Sequence, residues 1–123
     1  MDVFRNILWA GAGSFVGGAL RYWISYLIKY SGGFPWATFI VNLTGCLVIG
    51  LLWGLFGKMP NVPQGLVLFL SVGLCGGFTT FSTFSKESLM LLQSGNYWLL
   101  TAYITGSLLL GVALVAAGYY VAK

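Results

Sequence analysis

Long uncharged runs dominate this chain. Nothing is charged between Arg5 and Arg21, from Tyr30 through Gly57, from Met59 through Ser85, or from Ser88 through Ala122. A helix needs about 20 residues to cross the hydrocarbon of a bilayer. The runs, with flanking charges reaching for the interface, leave room for four spans and little else. Charged residues make up 7% of the chain, whereas a soluble domain carries about 25%. Six Lys/Arg and two Asp/Glu cannot clothe a water-facing surface, so the expected solvent is lipid.

The expected architecture is an all-α membrane protein, a single transmembrane domain over residues 1–123. Spans are expected at about residues 4–28, 36–57, 64–92 and 97–121, with a break in the third. Tyr30–Pro35 reads as a short loop, Lys58, Pro60, Asn61 and Pro63 mark a second, and Ser94–Gly95–Asn96 is a tight turn. Trp and Tyr residues lie mostly near span ends, as interfacial belts require. The first apolar stretch is too long and Gly-rich for a cleaved signal and reads as a retained span.

Several function classes are excluded at this point. The positive charges are scattered and form no basic stripe, so no nucleic-acid partner is expected. Cys46 and Cys75 have no metal-ligand spacing, and histidine is absent. No nucleophile–base pair is legible, so the protein is not expected to be an enzyme.

With four spans, Arg5, Lys58 and Lys123 share one side. Arg21, Lys29 and Lys86 belong to the other. Three positive charges face three, and the positive-inside rule gives almost no orientation. Insertion both ways, giving an antiparallel dimer, fits this balance, as does a rule too weak for so few charges. Pairs of small residues four apart, such as Gly13 and Gly17 or Gly50 and Gly54, fit close helix packing in lipid.

The densest signal runs from Gly73 to Ser85, midway along the third span. Gly76 and Gly77 followed by Thr79 and Thr80 weaken a helix. Backbone groups freed in lipid need partners from protein, water or an ion, and broken membrane helices recur at ion sites. Carbonyls around Gly76 and Thr79 can hold a small hard cation such as sodium; a plain glycine hinge fits the same residues. After the break, Phe78, Phe81 and Phe84 recur every three residues, with Ser82, Thr83 and Ser85 between. Ring edges attract anions weakly, and hydroxyls replace water around them, which suits conduction; ordinary aromatic packing has the same spacing. Thr38, Asn42 and Thr44 add polar groups to the second span, and Tyr103, Thr105 and Ser107 to the fourth. Asn42 stands out, because an amide in hydrocarbon needs partners. Arg21 and Lys86 suit either a vestibule that concentrates anions or simple snorkelling. Glu87, next to Lys86, suits a local ion pair or an acceptor for hydroxyls.

These residues resemble a known family. Gly17-Gly18-Ala19-Leu20-Arg21, Thr38 with Val41-Asn42 and Gly45, and Gly76-Gly77-Phe78-Thr79-Thr80-Phe81-Ser82-Thr83-Phe84-Ser85 followed by Glu87 are similar to the motifs of the Fluc (CrcB) fluoride channels of microbes. The likeness covers essentially the whole chain; Ala37-Thr38-Phe39 departs from the family's Gly-Thr-Leu. The resemblance implies a dual-topology homodimer in the inner (plasma) membrane, with two antiparallel pores that passively export fluoride. It implies a central structural sodium ion held by the backbone carbonyls of Gly76 and Thr79 from both subunits. It implies a fluoride path along Asn42, Phe81 and Phe84, with Thr38, Ser82, Thr83, Tyr103 and Ser107 as polar contacts and Arg21 near the vestibule. A small proton-coupled multidrug exporter also has four spans and dual topology, but it needs a carboxylate in its first span, and residues 4–28 contain none. A non-transporting assembly subunit is the third class.

Overall fold

A computed structural model describes residues 2–123, and every regular element among them is helical. Helix α1 spans Val3–Leu27 and α2 spans Trp36–Lys58. The next stretch is composite: α3 (Gln64–Val67), a π-helical segment (Leu68–Cys75), α4 (Gly76–Phe78) and α5 (Phe81–Gln93) follow in line. Helix α6 closes the chain at Tyr97–Ala122. Three stretches, Trp36–Lys58, Gln64–Gln93 and Tyr97–Ala122, are long and apolar enough to cross a membrane. Helix α1 is 25 residues long but less apolar, since it carries Arg5, Asn6 and Arg21.

The surface explains the solvent. Among the described residues the buried hydrophobic ones are only Val41, Cys75, Leu91 and Tyr103, while Phe15, Leu109, Val112 and Trp98 are largely exposed. Scattered apolar side chains are normal on a soluble surface, but a continuous apolar coat is not.

Two helix pairs build the body, α1 against the π segment and α4, and α2 against α6. In lipid there is little hydrophobic gain in bringing apolar helices together, so close backbone packing has to do it. Gly17 supplies this on α1: a Cβ there would collide with Leu74 O and lie 2.7 Å from Phe78 N. Gly118 does the same on α6, where a Cβ would sit 2.6 Å from Leu47 O.

The α5–α6 turn is written in its three residues. Gly95 takes φ +79°, and the Gly95 and Asn96 N–H groups donate to Leu92 O and Leu91 O at 3.2 and 3.0 Å. This Schellman arrangement satisfies carbonyls that a helix end would otherwise leave bare.

Candidate site at the broken helix

The break falls at Thr79–Thr80, starting two residues past the paired glycines. Gly76 and Gly77 stay helical, and the backbone turns extended at Thr79 (φ −83°, ψ 157°) and Thr80 (φ −148°, ψ 120°). The threonine side chains explain the position. Thr79 Oγ1 donates to Cys75 O at 2.9 Å, alongside the Thr79 N–H, which closes the upstream helix. Thr80 Oγ1 accepts from Thr83 N–H at 3.2 Å, capping α5 as Ser and Thr favour.

Severing the helix frees backbone groups, and α1 and α2 supply partners for three of them. Asn42 on α2 pairs with Thr80 in both directions: Oδ1 accepts its N–H at 2.8 Å and Nδ2 donates to its carbonyl at 3.1 Å. Arg21 on α1 donates from Nε to Gly77 O at 3.2 Å. Thr80 N–H, the ordinary helical donor to Gly76 O, is thus taken by Asn42. Thr83 N–H, the ordinary donor to Thr79 O, is taken by the Thr80 hydroxyl. The carbonyls of Gly76 and Thr79 are left without their helical donors.

Beside the break lies a cavity of about 410 Å³. It gathers Asn42, Gly76, Thr79, Thr80, Phe81, Phe84 and Ser107. The Phe81 and Phe84 rings sit 6.0 Å apart, and Phe81 is 78% exposed. Ser107 Oγ is buried without a hydrogen-bond partner among the described residues. A second cavity of about 560 Å³ adjoins the first, sharing Ile49 and Ser71 and reaching Phe56 and Gly57 near the end of α2.

Behind Phe84, Tyr103 is fully buried. Its ring packs tilted against that of Phe84 and edge-on against that of Phe34, at 4.9 and 5.4 Å. Its hydroxyl donates to Glu87 Oε1 at 2.9 Å, and Thr38 Oγ1 donates to Oε2 at 3.1 Å. Glu87 therefore accepts hydroxyls, the second of its two sequence readings. Tyr103→Phe removes one donor from this carboxylate, at an expected cost of about 1.5–3 kcal/mol. Thermal unfolding in detergent checks it, with Tyr97→Phe, at an exposed position, as the unchanged control.

The candidate residues thus fall into four groups. Asn42, Gly76, Thr79, Phe81, Phe84 and Ser107 share one cavity, and Thr38 and Tyr103 meet at Glu87 behind it. Ser82 and Thr83 flank the cap, Ser82 Oγ lying 3.4 Å from Thr80 Oγ1. Arg21 stands on the α1 side, against Gly77. Sequence reasoning did not name Thr80 as a site residue or Glu87 as a hub. The Thr80-x-x-Thr83 pattern was a legible cap signal; the convergence on Glu87 bridges 16 and 49 residues of chain and left no local trace.

Comparisons with known proteins agree with the motifs. Residues 8–119 match the family described as CrcB-like protein, Camphor Resistance (CrcB). A protein of Desulfotalea psychrophila named fluoride-specific ion channel FluC is 43% identical over 98% of this chain and 94% of its own length. Similarly named proteins of Phocaeicola vulgatus and Oceanobacillus iheyensis are 42% and 41% identical, covering 97% and 93% of this chain and 99% and 88% of their own lengths. Apolar helices long enough to span, and relatives that are ion channels along nearly the whole length, make this a multi-pass membrane protein. The chain belongs to the CrcB family.

Proposed function

We propose that the protein is a fluoride channel, working as an antiparallel dual-topology homodimer in the inner (plasma) membrane. Each subunit crosses four times, α1 being the first span and the broken helix the third. Fluoride leaves the cytoplasm passively through two antiparallel pores. The observation that carries this reading is the cavity beside the break. It offers an anion ring edges, an unpartnered hydroxyl on Ser107 and an amide on Asn42, with no formal charge on its wall. Asn42 Nδ2 has two hydrogens, and Thr80 O takes one, so a donor remains for the ion. Weak contacts of this kind replace hydration without trapping the ion. In this reading Thr38 and Tyr103, joined at Glu87 behind Phe84, and Ser82 and Thr83 at the cap continue the polar path beyond the cavity, Arg21 lies near the vestibule, and the adjoining cavity toward the end of α2 gives access.

The exposed faces of Gly76 and Phe81 meet the second subunit. The donor set at the break suits sodium, since the carbonyls of Gly76 and Thr79 are hard oxygen ligands released from helical bonding. A bound sodium ion supplies positive charge that offsets the carbonyl dipoles of both subunits at their contact.

The test is efflux from liposomes read with a fluoride electrode. Fluoride is expected to leave rapidly while chloride stays, and efflux is expected to slow when sodium is replaced by a bulky organic cation. Well-reconstituted protein that passes no fluoride, or passes chloride equally fast, would overturn the proposal.

A further inference from the structure

We infer that Arg21 is a positioning residue of the broken helix, acting through its Nε–H on the Gly77 carbonyl rather than through its charge. Gly13, Gly17 and Arg21 are four apart, which puts them on one stripe of α1. The first two let α1 lie backbone to backbone on the broken helix: added Cβ atoms would meet the backbone at Phe69, Leu74 and Phe78. On the other helix, a Cβ at Gly77 would sit 2.7 Å from Ser14 O. The stripe therefore delivers Arg21, one turn further on, to the carbonyl of Gly77.

That carbonyl is two residues before Thr79, where the helix stops. In an unbroken helix Phe81 N–H would satisfy it, but the extended backbone at Thr79 and Thr80 carries that donor away. In lipid a bare carbonyl draws the chain back toward helix or toward water. The Nε–H of Arg21 substitutes for the lost donor at 3.2 Å. Asn42 holds the downstream lip of the break through Thr80, and Arg21 holds the upstream lip. Occupying Gly77 O also separates its role from those of Gly76 O and Thr79 O, the pair proposed above for sodium. Arg21 thereby fixes which carbonyls remain free at the break, and this part of the inference rests on the channel reading.

Two substitutions separate donor from charge. In Arg21→Gln the side-chain Nε2 sits at the same bond count from Cα as arginine Nε, so the donor stays and the charge goes. In Arg21→Lys that position is a methylene and the ammonium lies one bond beyond, so the charge stays and the donor moves. Fluoride efflux is expected to fall further for Lys than for Gln, by about tenfold, the scale of one hydrogen bond. A role as a field in the vestibule predicts the reverse order, with the Gln variant's deficit shrinking as salt is added.

Amide hydrogen exchange across Phe78–Thr83, in the full chain in detergent, gives a readout independent of transport. It is expected to quicken about tenfold in Arg21→Lys and to hold in Arg21→Gln. The reverse order of efflux, or equal exchange in the two variants, overturns the inference, including the case in which both lose flux. Wild-type protein that moves no fluoride defeats the channel reading alone, and the exchange comparison still decides the role of Arg21.

Discussion

Asn42→Ala is expected to abolish fluoride efflux, the largest functional effect of any single substitution outside the glycines. The asparagine holds both backbone groups of Thr80, at 2.8 and 3.1 Å. Alanine leaves a donor and an acceptor unpaired in a part-buried site, at about 1–3 kcal/mol for each. Even about 2 kcal/mol shifts a conformational equilibrium by as much as about thirtyfold. The same change strips the cavity of the side-chain amide proposed as a donor to the ion. Asn42→Asp separates the two contributions, because its carboxylate still accepts the Thr80 N–H but offers no donor and adds negative charge to an anion path. Efflux should be lost in both variants, with the folded protein surviving better in Asp. Wild-type efflux in either would remove Asn42 from the path.

The largest effect on stability should come from Gly17→Ala, set against Gly18→Ala beside it. A methyl group at position 17 meets backbone on the facing helix, with Phe78 N at 2.7 Å and Gly77 C at 3.1 Å. Backbone cannot swing aside as a side chain can, so the cost should exceed the roughly 1–3 kcal/mol usual for overpacking. At position 18 nothing lies within 4 Å, and alanine there should be neutral or gain up to about 1 kcal/mol from helix propensity. Size-exclusion profiles and thermal unfolding in detergent read the pair. Gly17→Ala should yield little monodisperse protein, and Gly18→Ala should match wild type. Equal behaviour would mean that α1 does not lie on the broken helix backbone to backbone.

That contrast marks how far the sequence is legible. Gly17 and Gly18 are adjacent members of one motif, and no local property tells them apart; only the helix they face does. The helices themselves were readable, because uncharged runs and turn residues act locally. The broken segment was also readable, from the glycine pair followed by Thr79 and Thr80, and within it the structure puts the break at the threonines. Gly76 and Gly77 remain helical, Gly77 lying against Ser14, while the threonines make the break through side-chain bonds within four residues. The π segment at Leu68–Cys75 has no composition that distinguishes it from an ordinary apolar helix. Asn42 was singled out from the sequence, since an amide in lipid needs partners, but its partner lay 38 residues away.

The backbone seam between α1 and the broken helix has one more consequence, which concerns leakage. Where two backbones touch, no side chain remains to swing aside, and neither water nor a lipid tail has a gap to enter. The seam is a gasket. On the opposite flank of the same break lie the cavity and its hydroxyls. A broken helix in a membrane risks opening a wet fault on every side. Here the fault is sealed toward α1 and left open toward Asn42 and Ser107, so the defect has a single sidedness. Small residues that look like mere packing therefore serve as insulation around the one stretch of irregular backbone.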